Sequence, residues 1–388
     1  MKALAITSKG IEDISSLEIE EILGSKADKK KGCVLFSIKT YKDLCKVCYL
    51  SQSIEKGMLL LSSFSFKESD DLYKKLARSI RSSDTSKFLS KKTTFRASSK
   101  TIDNNEIIKD ELNPKIGEMI IDKIQKEKKY NQKVNLETPD ITFFTYIVKK
   151  TCYFGIDFSG FELHKRDYRV FQNPRSLRAT IAYSLCRIAR YKVKDSILDP
   201  FCGAGSILIE AALFASNMPI NYYRKDKFAF LKLKPLKKID LSKMFQAIDK
   251  KMKIKEPKTE IYGYDTILHY IQSARKNAKI AGINKQINFS KIDLDWIDVK
   301  FKEKSIDKII TQPPPLTRHS NPKEIEKIYN NLFYQAEYIL KDKGTITLIS
   351  RNQEPLKKSA ERYKFKLKNE RKVVAGKREM DVLSFYKC

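Results

Sequence analysis

The stretch richest in chemistry is Ile197-Leu198-Asp199-Pro200-Phe201-Cys202-Gly203-Ala204-Gly205-Ser206-Ile207-Leu208-Ile209-Glu210. An apolar strand runs into a Gly-x-Gly loop, and the loop runs directly into an apolar-periodic helix. Glycines let the backbone approach a ligand closely, and the first turn of a new helix offers unpaired N–H groups. A Walker phosphate loop is excluded, because the Gly-Lys-Ser/Thr ending is missing. Two acids follow at the ends of later strands. Asp265 closes Ile261-Tyr262-Gly263-Tyr264, where an acid can accept hydrogen bonds from a ribose diol. Asp293, in Ile292-Asp293-Leu294-Asp295, stands where an adenine amino group could be read. A third motif is Thr311-Gln312-Pro313-Pro314-Pro315. Prolines at a strand's carboxyl end stiffen the loop and remove N–H donors, leaving carbonyls as acceptors.

These motifs need a parallel sheet to hold them, and the pattern from about residue 170 predicts one. Strands are expected at 196–198, 260–264, 286–291, 308–311 and 344–350, with helices at 206–214, 268–281 and 323–340 between them. A final antiparallel pair is expected at 363–368 and 380–386. That order defines an α/β, doubly wound Rossmann-like domain. A Lys-rich insertion at 217–258 follows its first helix and lengthens the interval between the glycines and Asp265. Two α+β modules precede it. Residues 1–62 carry the strand–helix–strand–strand–helix–strand flavour of a ferredoxin-like module. Residues 63–160 form a second mixed unit, with a helix at 70–81, a strand at 94–97, a helix at 115–125 and strands at 141–148 and 152–158. The Rossmann-like part then occupies 161–388.

Composition narrows the partners. The chain has 388 residues and 41% hydrophobic side chains, which excludes a wholly disordered protein. Lys and Arg number 77 against 47 acids, a net of +30. Residues 1–150 hold 29 basic and 21 acidic groups, and 151–388 hold 48 and 26. An excess concentrated where the chemistry lies points to a polyanion, nucleic acid first, with lysine-solvated surface as the bland alternative. The runs Lys29-Lys30-Lys31 and Lys91-Lys92 read as loops. The N-terminus has no signal-peptide apolar core, and no apolar run reaches membrane-spanning length, so a cytoplasmic protein without membrane contact is expected. Seven scattered cysteines argue against a disulfide framework. Cys45-Lys46-Val47-Cys48 is a single C-x-x-C on a helix and reads as core; Cys202 reads as packed. His164, His269 and His319 share no metal-ligand spacing, so no metal is expected.

The run Asp199–Ser206 resembles the cofactor loop of class I S-adenosylmethionine-dependent methyltransferases, most closely the THUMP-containing RNA guanine-N2 methyltransferases. Gly155-Ile156-Asp157-Phe158-Ser159-Gly160, followed by Leu163-His164-Lys165-Arg166-Asp167-Tyr168-Arg169, is similar to that family's passage from THUMP into the catalytic domain. Thr94–Ala97, the helix at 115–125 and Val134–Asp140 resemble a THUMP core, and residues 2–13 resemble the lead-in before it. The nearest group resembles the enzymes that methylate guanine 6 of the tRNA acceptor stem.

The resemblance implies S-adenosylmethionine as cofactor, held by Asp199, Pro200, Cys202, Gly203, Ala204, Gly205 and Ser206. Asp265 with Thr266 would take the ribose, and Asp293 with Leu294 would flank the adenine. The segment Asn173–Thr180 matches the helix that covers the cofactor. Lys165, Arg166, Arg169 and Arg318 would touch a tRNA gripped at its acceptor stem and 3′ end. Gln312 and the Pro313 carbonyl would accept the protons of the target amino group. Here the chain departs from its relatives, which carry Asn or Asp at position 312 and an aromatic at 315. Three functions stay open: tRNA guanine-N2 methylation, methylation of rRNA or another tRNA guanine, and tRNA binding without catalysis. A small activating protein subunit is compatible with each.

Overall fold

The computed structural model describes residues 1–174, 176–252, 260–376 and 378–388. They form two compact units that share the chain in an interleaved way. The first comprises Met1–Thr7, Ser15–Leu163 and Asn221–Ile248; the second comprises Ser8–Ile14, His164–Ile220 and Asp249–Cys388.

The first unit is one eight-stranded sheet. Strands β1 (Lys2–Thr7), β2 (Ala27–Lys30), β3 (Cys33–Ser37) and β4 (Ile54–Ser65) lie in the order β2-β3-β1-β4. With helices Glu12–Leu23 and Tyr41–Leu50 they complete the expected ferredoxin-like pattern. Strand β4 is twelve residues long and continues past β1 to pair with another partner. The sheet therefore runs on through β5 (Thr94–Ile102), β6 (Lys133–Val134), β7 (Ile141–Val148) and β8 (Thr151–Asp157), in the order β4-β8-β7-β5-β6. Helix Lys109–Lys128 carries Pro114 inside it. Proline normally breaks a helix interior, which is why the sequence pattern starts that helix too late.

Two expectations change here. Lys29 and Lys30 are not loop residues but part of β2, an edge strand with three exposed side chains. Charged side chains on an edge strand discourage pairing with another chain. Residues 221–248, expected as an insertion within the Rossmann-like part, belong to the first unit. Lysines alternate with Phe228, Phe230, Leu233, Leu236, Leu241, Met244 and Phe245, all buried in the first unit's core. The Phe228 and Phe230 rings stack at 4.6 Å, and Phe245 meets Tyr49 at 4.7 Å. Truncating a buried phenylalanine of this kind costs about 3–5 kcal/mol, so the segment is a structural part of that core. Cys45 and Cys48 are fully buried in the same cluster, and burial pushes both thiols above their ordinary range.

The second unit is a seven-stranded sheet of β9 (Ile197–Asp199), β10 (Ile261–Asp265), β11 (Ile287–Lys291), β12 (Ile306–Thr311), β13 (Leu340–Ser350), β14 (Phe365–Ala375) and β15 (Arg378–Lys387). Its order is β11-β10-β9-β12-β13-β15-β14, parallel from β11 to β13 and antiparallel thereafter. Leu198, Ile309, Ile346 and Leu348 bury one face against Tyr329, Leu332 and Phe333 of helix Pro322–Ile339. Val374 donates its N–H to the Lys9 carbonyl at 2.9 Å, and Arg371 pairs with Asp13 at 2.8 Å, which ties residues 8–14 to this unit. The strand order reverses direction between β9 and β12. At such a point the loops leave the strands on opposite faces and open a crevice at the carboxyl ends. No helix among the described residues is long and apolar enough to cross a membrane.

Candidate active site

The crevice is built first from the loop after β9. Gly203 and Gly205 both take positive φ, +51° and +82°. A Cβ at Gly203 would stand 2.5 Å from Asn173 Nδ2, and one at Gly205 would stand 3.0 Å from Phe289 and 3.1 Å from Ala274. Glycine is therefore required twice, by conformation and by space. Asp265, at the carboxyl end of β10, braces the loop: one carboxylate oxygen accepts the Gly203 N–H and the other the Ile267 N–H, both at 3.0 Å. Asp199 is buried and accepts hydrogen bonds from the Thr311 hydroxyl and the Phe201 N–H. Burial pushes its carboxyl up to about 7, opposed by those two donors and assisted by the charge of Asp265.

The cover over this loop is not the expected helix. Helix Ala179–Ile188 begins only at Ala179. Asn173 and Ser176 close a turn instead, with the Ser176 N–H on the Asn173 carbonyl at 3.0 Å; Arg175 lies outside the described residues. Pro174 in this turn fixes its own φ and has no N–H to give a helix. A residue that sequence reading missed holds the cover down. The Asn277 amide, 2% exposed, accepts the Phe171 N–H at 3.0 Å and donates to the carbonyls of Phe171 at 2.8 Å and Ala204 at 3.1 Å. The available signal was a polar residue on the buried stripe Ile271-Ala274-Ala278 of helix Leu268–Ile280, where an amide needs partners.

Three cavities follow one another along the strand ends. A 370 Å³ cavity is lined by Pro200, Phe201, Asp265, Thr266, Asp293 and Leu294. A 40 Å³ cavity lies on the loop itself, against Asp199, Cys202, Gly203, Ala204, Ser206 and Gln312. A 300 Å³ cavity is lined by Leu177, Gln312, Pro313 and Pro315 among others. Gln312 lines both the second and the third. The first two fit a nucleoside-bearing cofactor with a cationic end: a Cβ at Gly203 would intrude on the second, and the carboxylates of Asp199, Asp265 and Asp293 border them. Burial raises the Cys202 thiol well above its ordinary range, so it packs rather than attacks.

The proline loop is rigidly held. The hydroxyl of buried Tyr329 donates to the Pro314 carbonyl at 2.7 Å, and the Leu316 N–H donates to Asn352 Oδ1 at 2.9 Å. Among the residues expected to touch RNA, Lys165 and Arg318 are exposed. Arg169 is half-buried and donates to Gln172 at 3.2 Å. Arg166 requires correction. Its side chain is 1% exposed and grips Glu210 twice, at 3.1 and 3.3 Å, while Tyr168 donates to the same carboxylate at 2.8 Å. Glu210 faces inward from helix Ser206–Ala215 and is fully buried, so it needs a counter-charge. Arg166 supplies that charge and is closed to RNA.

Sheet order, glycine cradle and strand-end acids together define a Rossmann-like methyltransferase. Residues 166–380 match the family described as RMKL-like, methyltransferase domain, and residues 68–157 match the THUMP domain. The chain belongs to this RMKL-like methyltransferase family and carries a THUMP domain. It is 31% identical over 377 residues to the tRNA (guanine(6)-N2)-methyltransferase of Methanocaldococcus jannaschii, covering 95% of each chain. It is 26% identical to the protein of the same name from Archaeoglobus fulgidus, covering 96% of this chain and 88% of that one. The solved structure of SMU.472 complexed with SAH shares the fold, with a TM-score of 0.84 at 20% identity over 100% of this chain and 98% of that one. The cradle and its carboxylates fit S-adenosylmethionine, the methyl donor of this class.

Proposed function

We propose that this protein methylates the exocyclic N2 of a guanine in tRNA, guanine 6 of the acceptor stem, from S-adenosylmethionine. The observation that carries the reading is the position of Gln312, which borders both the cofactor-loop cavity and the cavity of the proline loop. Bound S-adenosylmethionine would supply an electrophilic methyl group. The chain's own residues must make the amine nucleophilic. A guanine N2 lone pair is delocalised into the ring, and hydrogen bonds from the amine to the Gln312 side-chain oxygen and the Pro313 carbonyl would localise it. Asp265 and Thr266 would hold the ribose, and Asp293 with Leu294 the adenine. Lys165, Arg169 and Arg318 would meet the RNA, whose acceptor end the N-terminal modules would grip. We assign a ferredoxin-like domain to 1–62, a THUMP domain to 63–160 and the methyltransferase domain to 161–388, apart from 221–248, which belong to the first unit, in a cytoplasmic protein.

Incubating the protein with a tRNA transcript and S-adenosylmethionine, then digesting to nucleosides for mass spectrometry, should yield N2-methylguanosine, and replacing guanine 6 by adenine should remove it. Product that survives this replacement moves the target elsewhere. A second reading, tRNA binding without turnover, is favoured by Pro315, which offers no aromatic ring to stack on the base. Stacking is worth about 1–3 kcal/mol, so Pro315→Tyr should raise single-turnover methylation about tenfold with cofactor affinity unchanged. A wild type and a Tyr variant that bind cofactor and tRNA but transfer nothing would establish the second reading.

A further inference from the structure

Three arginines remote in sequence, Arg178, Arg351 and Arg378, line the 300 Å³ cavity that Gln312 also lines. The topology brings them together. β13 runs parallel to β12, so Arg351 emerges beside the proline loop; β15 runs antiparallel to β13, with Ser350 opposite Asp381, so Arg378 starts at the same end. Arg178 precedes helix Ala179–Ile188, and a Cβ at Gly376 would stand 3.4 Å from its guanidinium. Among the described residues no carboxylate lines this cavity; the nearby strand acid Asp381 is not among its walls. The side chains of Arg351 and Arg378 are exposed and make no hydrogen bond or ion pair among the described residues. The remaining walls include Leu177, Pro313, Pro315, Ile349 and Met380, which are apolar.

A cavity with partly apolar walls and the exposed cations Arg351 and Arg378 among its walls suits a ligand with a flat neutral part and negative charge beside it. A base within a phosphodiester chain has that form. A guanidinium fork matches phosphate geometry bidentately and stays charged at every physiological pH. The base itself is neutral and finds no aromatic ring at position 315, so its placement must draw on the phosphates.

We propose that Arg351 and Arg378, backed by Arg178, clamp the phosphodiester groups flanking the target nucleotide while its base occupies the cavity. This rests on the proposed function and names how its RNA is held. The test is phosphate-ethylation interference. Transcripts of tRNA carrying about one ethylated phosphate each are bound to the wild type and to an Arg351→Ala/Arg378→Ala double variant, and the bound fractions are mapped. In the wild type, ethylation on either side of one nucleotide should exclude a transcript from the bound fraction. In the double variant that interference should vanish while the rest of the map persists. The slope of log affinity against log salt should fall by about two, one for each lost phosphate contact. Calorimetry should find cofactor binding unchanged, which shows the variant folded. Identical maps, or interference weakened uniformly along the RNA, overturn the clamp. Interference centred on a nucleotide other than the methylated one also overturns it. Because the readout is binding, a wild type that transfers no methyl group defeats the function while the maps still decide the clamp.

Discussion

Two loops leave the carboxyl ends of neighbouring parallel strands, and they are built on opposite principles. The loop after β9 uses glycines at positive φ and bares its backbone, with the N–H groups of Cys202, Gly203 and Gly205 taken up by Tyr264, Asp265 and Cys202; the loop after β12 uses three consecutive prolines, which carry carbonyls but no N–H. A buried hydrogen bond from Thr311 to Asp199 links them. Under the proposed function the difference follows from what each would touch. A cofactor has to lie against bare backbone, which demands the absence of side chains. An amino group being activated needs acceptors that hold still, which demands the absence of competing donors and of slack. The glycine loop keeps the pattern expected of its class, while the proline loop changes at both ends. Cofactor recognition and amine activation can therefore be perturbed separately.

The largest effect should come from closing the cradle. Gly203→Val places a branched side chain at φ +51° on the wall of the cofactor-loop cavity, where a Cβ would stand 2.5 Å from Asn173 Nδ2. Calorimetry should show cofactor affinity reduced about a hundredfold, because the side chain takes space the cofactor needs and shifts what remains by about 1 Å. Affinity within twofold of wild type would mean that this loop is no cradle.

Gln312→Ala tests the other side of the comparison. It should slow single-turnover methylation about a hundredfold, the scale on which misplaced or missing transition-state contacts act, with tRNA and cofactor affinity nearly unchanged. A fall in tRNA affinity that accounts for the whole loss would make Gln312 a binding residue only.

The smallest and most diagnostic effect is in pH. Asp199 sits at about 7 in the folded protein, against about 3.9 for an ordinary Asp. Because the folded state binds the extra proton, stability of the free protein should decline as pH rises from about 4 to about 7. A cationic ligand beside the carboxylate favours its ionised form. Cofactor affinity should therefore climb as pH rises towards about 7, by at most about tenfold per unit, and flatten above it. Asp199→Asn should remove that dependence; a wild-type profile flat from pH 5.5 to 7 would remove Asp199 from the cofactor's contacts.

How much of this was legible depended on range. The strand–loop–helix around Asp199–Ser206 and the strand-end acids could be read because glycine, proline and apolar periodicity act over a few residues. Lys29 and Lys30 were misread because an edge strand carries the same exposed charges as a loop. The segment 221–248 reads only as part of a Lys-rich insertion because its lysines outnumber its phenylalanines, although the phenylalanines decide where it packs. Arg166 looked like an RNA contact because no local pattern announces that Glu210, 44 residues away, is buried and needs its charge.

By itself the sequence determined the doubly wound order, the glycine cradle, the acceptor-rich proline loop and the basic balance, since each is written in residue types and short spacings. The tertiary structure alone decided which polar groups meet. It set Asn277 against the Phe171 and Ala204 backbones, Arg166 against Glu210, and Arg178, Arg351 and Arg378 around one cavity. Those pairings depend on where strands of one sheet end and which way they run, and that follows from the packing of the whole unit.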